Sequence, residues 1–402
     1  MPIGICLLLI ANCQLGYAQN QITLENAIET ALKNNLHIKN AKLKADYQNL
    51  LIKTAKNIPA TNFSTGFGQM NSAYFDHHLG VSQSFSLPKV YEKQKQLLSA
   101  EAKAATLQIA VKEADLKRAV TEVFYTFLYL NEKEKLLLRS DTIFNEFLKK
   151  ATLRLEKGES NLLEKTSAET QHDNLILQLR EVAQAKELLQ IQFQLLLNSE
   201  APFFVKSNVF KQSASKLNVF QAEKHPILQI LQQEKQVSVA NSALEKTKLL
   251  PEFSVGYGNM TIRGTGANDV KYNGITRFHA AQIGVSVPLF KASQKAKIDA
   301  VLFYEKVADN DFLIEKTQLE KQYQTAQLQY ANAEKNILFF EEKALKNVQL
   351  IEKTANKQFQ NGEINYLEWA MLINQSISVK SAYLDAIKAV NDAVVELDYL
   401  VK

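Results

Sequence analysis

The sequence predicts a mostly α-helical protein with a small β part, in which the helices form long antiparallel hairpins. Glycine and proline, which interrupt regular structure, number only 13 and 7 in 402 residues, and they gather at residues 59–88 and 251–288. The long tracts that follow these two regions are rich in Ala, Leu, Lys, Glu and Gln, which are good helix formers. Each tract contains a single glycine, Gly158 in the first and Gly362 in the second.

Both tracts have apolar residues at helical spacings of three and four. The recurrence is clear at Val120, Val123, Phe124, Phe127 and Leu128. A single helix over residues 89–157 would be about 100 Å long, more than the core of a globular domain needs. Gly158 and Gly362 can adopt the left-handed conformation that ends a helix. We therefore expect them at hairpin tips, with returning helices over residues 159–198 and 363–401.

The chain also has a two-fold internal repeat. Gly80 and Gly284 open the similar segments GVSQSFSLPKVYEKQK and GVSVPLFKASQKAK and are 204 residues apart. The predicted tip glycines are separated by the same 204 residues. The predicted domains are a signal peptide at 1–18, a first repeat at 19–224 and a second repeat at 225–402. The first repeat has a strand pair at 61–87, a tip at 158 and a closing segment at 199–224, and the second has a strand pair at 252–289 and a tip at 362.

The N-terminus has features of an export signal. Residues 3–11 are apolar, and Gly16-Tyr17-Ala18 has the small residues that a signal peptidase requires, although no Lys or Arg precedes the apolar stretch. Both cysteines, Cys6 and Cys13, lie in this segment. Asn12 argues against lipid attachment at Cys13, because a small residue is expected there. The exported chain would have no cysteine for disulfides, thiol catalysis or metal binding.

Composition and motifs exclude several other classes of protein. The net charge is +5, with Lys and Glu interleaved, so no block of like charge suggests a nucleic-acid partner. No apolar run after the signal segment has the length of about 18 residues that a transmembrane helix needs. The sequence has no phosphate-binding glycine loop, no HExxH and no nucleophile elbow. We predict that the protein is not an enzyme and has no catalytic residue, cofactor site or metal site.

Apolar and small polar residues alternate strictly in four segments, near residues 61–70, 78–87, 253–258 and 283–289. This alternation over about ten residues is typical of outer-membrane barrel strands. The alternative is a pair of soluble hairpins with one buried face. In the membrane interpretation, the lipid-facing residues are Phe63, Phe67, Leu79, Val81, Phe85, Phe253, Val255, Tyr257, Ile283, Val285 and Val287.

Four transmembrane strands are too few for a closed barrel, which takes about eight or more. An open sheet edge is not tolerated in lipid. The chain is therefore predicted to form a homotrimer, whose twelve strands would close one barrel around a lumen.

Taken together, these features resemble the TolC-type outer-membrane factor family, the exit ducts of tripartite efflux pumps and type I secretion systems. The resemblance covers the whole mature chain, from LENAIETALKNNLHI through the Ile-Pro and Leu-Pro entries to the strand pairs and both glycine tips. It implies a trimeric twelve-stranded barrel in the outer membrane of a Gram-negative bacterium, joined to a periplasmic tunnel of twelve helices. Residues 199–224 would form part of an equatorial belt. GQMNSAYFDHHLGVSQSFSLPKVY and RLEKGESNLLEK look most like the outer-membrane partner of CusA/CzcA-type heavy-metal pumps.

The resemblance also suggests functional residues. Glu164 and Glu368 each lie six residues after a tip glycine, where the family has acidic residues lining the periplasmic aperture. Rings of carboxylates favour cations, but these residues could also be first-turn acids that the helix dipole stabilises. The tips, where a periplasmic adaptor would dock, comprise Leu155, Gly158, Glu159, Phe359, Gly362 and Glu363. The alternative is that the glycines only cap helices.

Asp76-His77-His78 falls in the predicted loop between the first two strands. Imidazole and carboxylate groups suit Zn or Cu. Adjacent residues diverge in a strand or loop, however, so we expect a polar loop entry rather than a metal site.

The function predicted from the sequence is a passive outer-membrane conduit that works with a periplasmic adaptor and an inner-membrane RND transporter. A soluble periplasmic coiled-coil scaffold or adaptor would explain the helices but leave the alternating strands unexplained. An adhesin or enzyme passenger on a barrel would need a large insertion, whereas the outer loops near residues 71–77 and 261–277 are short.

Overall fold

The computed structural model describes residues 20–207, 209–213 and 220–401. The predicted signal peptide at 1–18, including Cys13, lies outside the described residues. The chain divides into two compact units. Of the described residues, the first unit comprises 20–36, 115–207, 209–213 and 323–399, and the second comprises 37–114, 220–322, 400 and 401. Each unit takes segments from both of the repeats predicted in the sequence.

Long helices dominate the chain, close to the predicted bounds. They are α3 (Pro88–Glu156), α4 (Leu162–Leu197), α6 (Ala292–Phe339), α7 (Leu345–Gln360) and α8 (Tyr366–Val401). A single π-helical turn, Phe340–Ala344, separates α6 from α7. The returning helices α4 and α8 begin three residues later than predicted, because the residues after each tip glycine form the turn and the N-cap of the next helix. None of the helices among these described residues is long and apolar enough to cross a membrane.

In the first unit, α3, α4, α7 and α8 pack around one hydrophobic core. Aromatic side chains fill much of it, and Phe144 is completely buried. The buried members are Leu130, Leu137, Phe144, Phe147, Ala151, Ala168, Leu175, Val182, Ala355, Tyr366, Trp369, Ala370 and Ile373. The helical spacing in the sequence therefore corresponds to real buried faces.

The segment predicted to form an equatorial belt adds a small β element to the first unit. Strand β4 (Phe203–Val205) pairs in parallel with β1 (Asn20–Ile22), which precedes α1 (Leu24–Asn34). Further along the segment, the buried Asn391 side chain of α8 accepts a hydrogen bond from the amide N of Gln212 at 2.8 Å and donates one to the carbonyl of Phe210 at 2.9 Å. These two bonds fix the backbone of this connection.

The second unit contains α2 (Leu36–Leu51), a short 3₁₀ turn (Ile52–Lys56), α5 (Pro226–Thr247) and a four-stranded antiparallel sheet. The 3₁₀ turn Ala222–Lys224 leads into α5. In spatial order the sheet has β2 (Asn62–Gly68), β3 (Asp76–Ser86), β5 (Glu252–Met260) and β8 (Phe278–Ser286). A two-residue ladder of β6 (Gly264–Thr265) and β7 (Lys271–Tyr272) lies in the connection from β5 to β8.

The strand bounds correct two expectations from the sequence. Asp76 and His77, predicted in a loop, belong to β3, since they pair with Gly68 and Phe67 of β2. Val287, predicted on the lipid-facing side of a strand, lies just beyond β8 and directly before Pro288. Proline has no N–H to donate to a ladder, so β8 ends before it.

Candidate functional site

One face of the four-stranded sheet is apolar and exposed. The strand register aligns Phe63, Val81 and Tyr257 in one row across β2, β3 and β5. A second row joins Phe85, Phe253 and Val285 across β3, β5 and β8, and a third contains Val255 and Ile283. Phe63 is 78% exposed and Ile283 is 84% exposed. All the residues predicted to face lipid that lie within strands share this face.

The opposite face carries small and polar residues. One row is Ser64, Gly80, Gly258 and Ala280, and another pairs Ser82 with Gly256. A β-carbon added at Gly80 would lie 2.7 Å from the Ser64 Oγ atom, too close for a real contact. Glycine at this position therefore leaves room for the Ser64 hydroxyl on the neighbouring strand.

Both edges of the sheet lack a strand partner among the described residues, because β2 pairs only with β3 and β8 only with β5. An exposed strand edge is a template for pairing with another chain. A contiguous exposed apolar patch of this kind marks a surface that contacts protein or membrane. In the described part of the chain, both edge strands therefore have unpaired backbone groups, and the apolar side chains of one face are exposed.

Asp76 organises one end of the sheet. Its carboxylate is fully buried and accepts hydrogen bonds from Ser72 Oγ at 2.7 Å, Thr261 Oγ1 at 3.1 Å and the amide N of Arg263 at 3.1 Å. Thr261 Oγ1 in turn accepts a hydrogen bond from the amide N of His77 at 2.9 Å. These bonds join the connection before β3 to the chain that leaves β5.

The two histidines beside Asp76 point to opposite faces, as expected for neighbours in a strand. The ring of His77 lies on the apolar face and makes edge contacts with Phe67 and Phe75, with 5.4 Å between ring centroids in each pair. His78 lies on the polar face, where its ring approaches Gly80 and Gly258. Within the described ranges, no group of three or more His, Cys, Asp or Glu side chains could hold a metal ion.

The first hairpin tip is a tight hydrogen-bonded turn. Gly158 has φ +74°, in the left-handed region. The amide N of Glu159 donates to the carbonyl of Arg154 at 2.8 Å, and that of Gly158 donates to the carbonyl of Leu155 at 3.0 Å. This pair of bonds defines a Schellman motif, which satisfies carbonyls that the end of α3 would leave free.

The second tip has the same geometry. Gly362 also has φ +74°. The amide N of Glu363 donates to the carbonyl of Gln358 at 2.8 Å, and that of Gly362 donates to the carbonyl of Phe359 at 3.1 Å. A β-carbon at either tip glycine would have no atom within 4 Å apart from those of the glycine and its immediate neighbours in the chain. Both positions therefore need glycine for its backbone conformation and not for lack of space.

The two predicted aperture carboxylates occupy the same position, the third residue of their helices, but have different partners. Glu164 is half-buried; its Oε1 atom lies 2.8 Å from Arg154 Nη1, and its Oε2 atom accepts a hydrogen bond from Ser160 Oγ at 2.5 Å. Asn161 caps the start of α4, since its Oδ1 atom accepts a hydrogen bond from the amide N of Glu164 at 2.9 Å. The ion pair of Glu164 with Arg154 therefore links the start of α4 to the end of α3.

Glu368 instead completes a capping box at the start of α8. Its amide N donates to Asn365 Oδ1 at 3.0 Å, and its Oε2 atom accepts a hydrogen bond from the amide N of Asn365 at 2.9 Å. Gln358 stands where the first tip has Arg154, so this tip has no equivalent cation. The exposed Glu368 carboxylate therefore caps the N-terminus of α8 through hydrogen bonds.

Aromatic stacking supports the tips. The rings of Phe147 and Tyr366 stack with centroids 3.8 Å apart, and Trp369 lies 5.1 Å from Phe147. Trp369 Nε1 donates to Asn356 Oδ1 at 2.8 Å. Burial, and then the charge of Glu164, raise the pKa of Tyr366 to about 12. The buried Tyr366 hydroxyl has no hydrogen-bond partner among the described residues.

Comparison with known proteins identifies the fold. No protein-family model matches the chain, and no curated protein sequence matches it. Solved structures do match. CusC, a protein described as forming a transmembrane channel, aligns with a TM-score of 0.78 at 16% identity over 94% of this chain and 91% of its own.

Two further matches are outer-membrane proteins of named bacteria. The outer membrane protein VceC of Vibrio cholerae gives a TM-score of 0.73 at 11% identity, covering 94% of this chain and 95% of VceC. The CmeC outer membrane channel of Campylobacter jejuni gives 0.72 at 13% identity, covering 94% of this chain and 85% of CmeC. The chain therefore shares the fold of these three proteins along nearly its whole length.

Proposed function

We propose that this protein is the outer-membrane channel of a tripartite efflux system, a passive conduit from the periplasm to the exterior. The observation that carries the proposal is the four-stranded sheet with an exposed apolar face and two unpaired edges in the described residues. Three copies arranged about a three-fold axis would join β2 of each chain to β8 of the next. The resulting twelve strands are enough to close a barrel, and the apolar face of each sheet would then face lipid.

The long helices would form the periplasmic part of the conduit. In the two-fold repeat, each half of the chain contributes one strand pair and one helical hairpin. The matching tip glycines, with the same φ and the same turn bonds, support this repeat. The location in the outer membrane of a Gram-negative bacterium follows from the same proposal, since the matched structures include outer-membrane channels of such organisms.

The partners proposed for the channel are a periplasmic adaptor and an inner-membrane RND transporter, with heavy-metal cations as the class of cargo. The tips offer a compact docking surface, because apolar side chains next to each tip are exposed. Leu162 and Leu163 follow the first tip at 66% and 64% exposure, and Leu367 follows the second. The carboxylates Glu164 and Glu368 remain the proposed aperture residues.

The soluble scaffold or adaptor is a weaker alternative. It would account for the helical hairpins and tips but would leave the exposed apolar rows of the sheet in water. A contiguous exposed apolar patch of this kind promotes aggregation of a soluble monomer.

Detergent extraction of the protein and recording of its conductance in planar bilayers test the proposed function. The full chain, expressed with its leader, should require detergent for release from membranes, run as a trimer, and form conducting pores in planar bilayers. A monomer released with the periplasmic fraction without detergent would contradict the proposal. Pores without a trimer, or a trimer without conductance, would contradict the closure of one barrel by three chains.

A further inference from the structure

The apolar face of the four-stranded sheet becomes polar toward one end. All four strands connect to helices at one end of the sheet, and the connections from β2 to β3 and from β5 to β8 leave from the other. This second end, the loop end, comprises Gly68, Asp76, Met260 and Phe278. One residue inside it, on the apolar face, Asn259 of β5 pairs with His279 of β8.

Tyr257, Asn259 and His279 form a hydrogen-bonded group at the loop end. His279 Nδ1 contacts the hydroxyl of Tyr257 and lies 3.3 Å from Asn259 Nδ2. An amide nitrogen can only donate, so Nδ1 accepts both bonds, and the proton of the neutral imidazole lies on Nε2. Nε2 has no hydrogen-bond partner in the part of the chain that the structure describes. This N–H group is therefore available to a ligand.

Arg277 lies beside the same group. It lines an open groove of about 630 Å³ together with Tyr257 and Asn259. Its exposed side chain makes no ion pair or hydrogen bond with any described residue. The apolar lining residues of the groove are Phe63, Leu79 and Val81. The groove thus joins an apolar wall to an unpaired guanidinium group.

The charges around the groove favour an anionic ligand. Within the four strands of the sheet, no Asp or Glu lies on the apolar face, since Asp76 and Glu252 alternate onto the opposite face. The connection over residues 261–277 has three cations and one acid. The cations are Arg263, Lys271 and Arg277, and the acid is Asp269.

The depth of Arg277 in the proposed barrel matches that of a lipid headgroup. Ile283, which would lie near the middle of the bilayer, is six residues further along the chain. At about 3.4 Å per residue and a strand tilt of about 45°, six residues cross roughly 14 Å of membrane depth. Half of the hydrocarbon core is about 15 Å thick, so Arg277 would lie at its boundary. The loop end would face the exterior, because the helices at the other end would occupy the periplasm.

We propose that Arg277 and His279 bind a phosphate group of an outer-leaflet lipid whose acyl chains lie along the apolar wall of the groove. A guanidinium group can donate two parallel hydrogen bonds to one phosphate, and His279 Nε2 adds a further donor. In a Gram-negative outer membrane, the phosphorylated glycolipid lipid A has this chemistry. The inference deepens the proposed function and rests on it, because the sheet meets lipid only when it lies in the membrane.

Native mass spectrometry of the purified protein is the direct test. The full chain, expressed with its leader and purified in detergent, is titrated with bisphosphorylated lipid A. We expect saturable binding of one lipid per chain. Dephosphorylated lipid A with the same acyl chains should bind at least about tenfold more weakly, because it cannot accept the charge-assisted hydrogen bonds.

A pair of charge variants gives the second readout. Arg277→Gln should weaken the binding of lipid A at least about tenfold. Lys271→Gln is the matched control, since it removes a positive charge from an exposed residue of the same connection that does not line the groove. It should bind lipid A like the parent. Both positions lie outside the four-stranded sheet, so both variants should assemble normally.

Three results would overturn the lipid site. Equal weakening by Arg277→Gln and Lys271→Gln would mean that lipid A responds only to the general positive charge. Equal binding of lipid A with and without phosphate would mean apolar contact alone. Displacement of lipid A by an equal concentration of inorganic phosphate would mean a site for free anions.

These outcomes are separate from those for the proposed function. A conducting trimer that retains no lipid A would remove the lipid site and leave the channel. A chain whose binding of lipid A depends on Arg277 but which forms no pore would keep the site and remove the channel.

Discussion

Arg154 and Glu164 form an ion pair across the first hairpin tip, with 2.8 Å between Nη1 and Oε1. Arg154 also donates from Nη2 to the carbonyl of Glu159 at 3.3 Å, within the turn itself. The second tip, otherwise equivalent, has Gln358 in place of the arginine. The two aperture carboxylates of the proposed channel therefore differ in charge environment: one is paired with a cation, and the other is not.

This difference predicts opposite effects on ion selectivity. Arg154→Gln should increase the preference of the pore for cations, because Glu164 loses its neutralising partner. Glu164→Gln should decrease it, since the arginine is then unpaired and carboxylate rings favour cations. Reversal potentials in planar bilayers under a salt gradient measure both shifts.

Glu368→Gln tests the second tip and serves as the comparison. Glutamine can still complete the capping box, so this variant should fold normally. Its only effect should be a lower cation selectivity of the pore. If Arg154→Gln and Glu164→Gln move the reversal potential in the same direction, the ion pair does not lie at the aperture. Unchanged selectivity in Glu164→Gln and Glu368→Gln combined would remove both residues from it.

The tip glycines should be equally sensitive to substitution. Gly158→Ala and Gly362→Ala should each cost about 1–2 kcal/mol, the penalty for a left-handed residue with a β-carbon. Because nothing lies within 4 Å of an added β-carbon at either position, the cost should come from the backbone alone. Chemical denaturation followed by the loss of helical signal measures the change in stability.

Asparagine provides the control for these glycines, since it adopts the left-handed conformation more readily than alanine. Gly158→Asn and Gly362→Asn should therefore lose less stability than the alanine variants. If alanine and asparagine were equally harmful, the turn would be sensitive to side-chain size rather than to backbone conformation.

The two faces of the sheet should respond differently to charge. Ile283→Arg places a cation on the apolar face of β8, and it should cost about 2–4 kcal/mol if that face lies near the middle of the bilayer. Gln282→Arg, the adjacent position on the polar face, should assemble like the parent. The measurement is the yield of trimer in the outer membrane. Equal assembly of the two variants would argue against lipid contact at Ile283.

Local patterns in the sequence predicted much of this structure. Alternation placed Phe63, Val81 and Tyr257 on one face, because the strand period of two does not depend on which strands pair. The tip glycines were also identifiable, since a lone glycine in a long helical tract is typical of a residue that ends a helix. The asparagine caps before Glu164 and Glu368 follow a local signal that could have been recognised in the same way.

Contacts between distant residues could not be predicted in this way. The alignment of His78 with Met260 depends on the register of β3 against β5, which alternation alone does not fix. The hydrogen bonds of the Asp76 carboxylate with the distant residues Thr261 and Arg263 likewise have no local signal in the sequence. The π-helical turn Phe340–Ala344 interrupts the regular α-helix, and helix propensity does not reveal such a turn.

Tyr366, which is buried, and Tyr383, which is partly buried, have the same raised pKa and different partners. Burial is the main cause that raises the pKa to about 12 for both Tyr366 and Tyr383. An unfolded tyrosine has a pKa near 10. Ionisation is therefore harder in the folded protein, and the stabilising effect of each neutral tyrosine is full below pH 10 and is lost as the pH rises toward 12.

Replacement by phenylalanine should change the stability of the protein differently at the two positions. The Tyr366 hydroxyl is buried without a partner, so Tyr366→Phe should be neutral or stabilising at pH 7. Tyr383 donates to Glu341 Oε1 at 3.1 Å, so Tyr383→Phe should cost about 1 kcal/mol. Each variant should also lose less stability than the parent between pH 10 and 12. Unfolding curves at pH 7, 10 and 11.5 measure both effects. A loss of stability in Tyr366→Phe at pH 7 would mean that its hydroxyl has a hydrogen-bond partner in the assembled protein, such as water or a neighbouring chain.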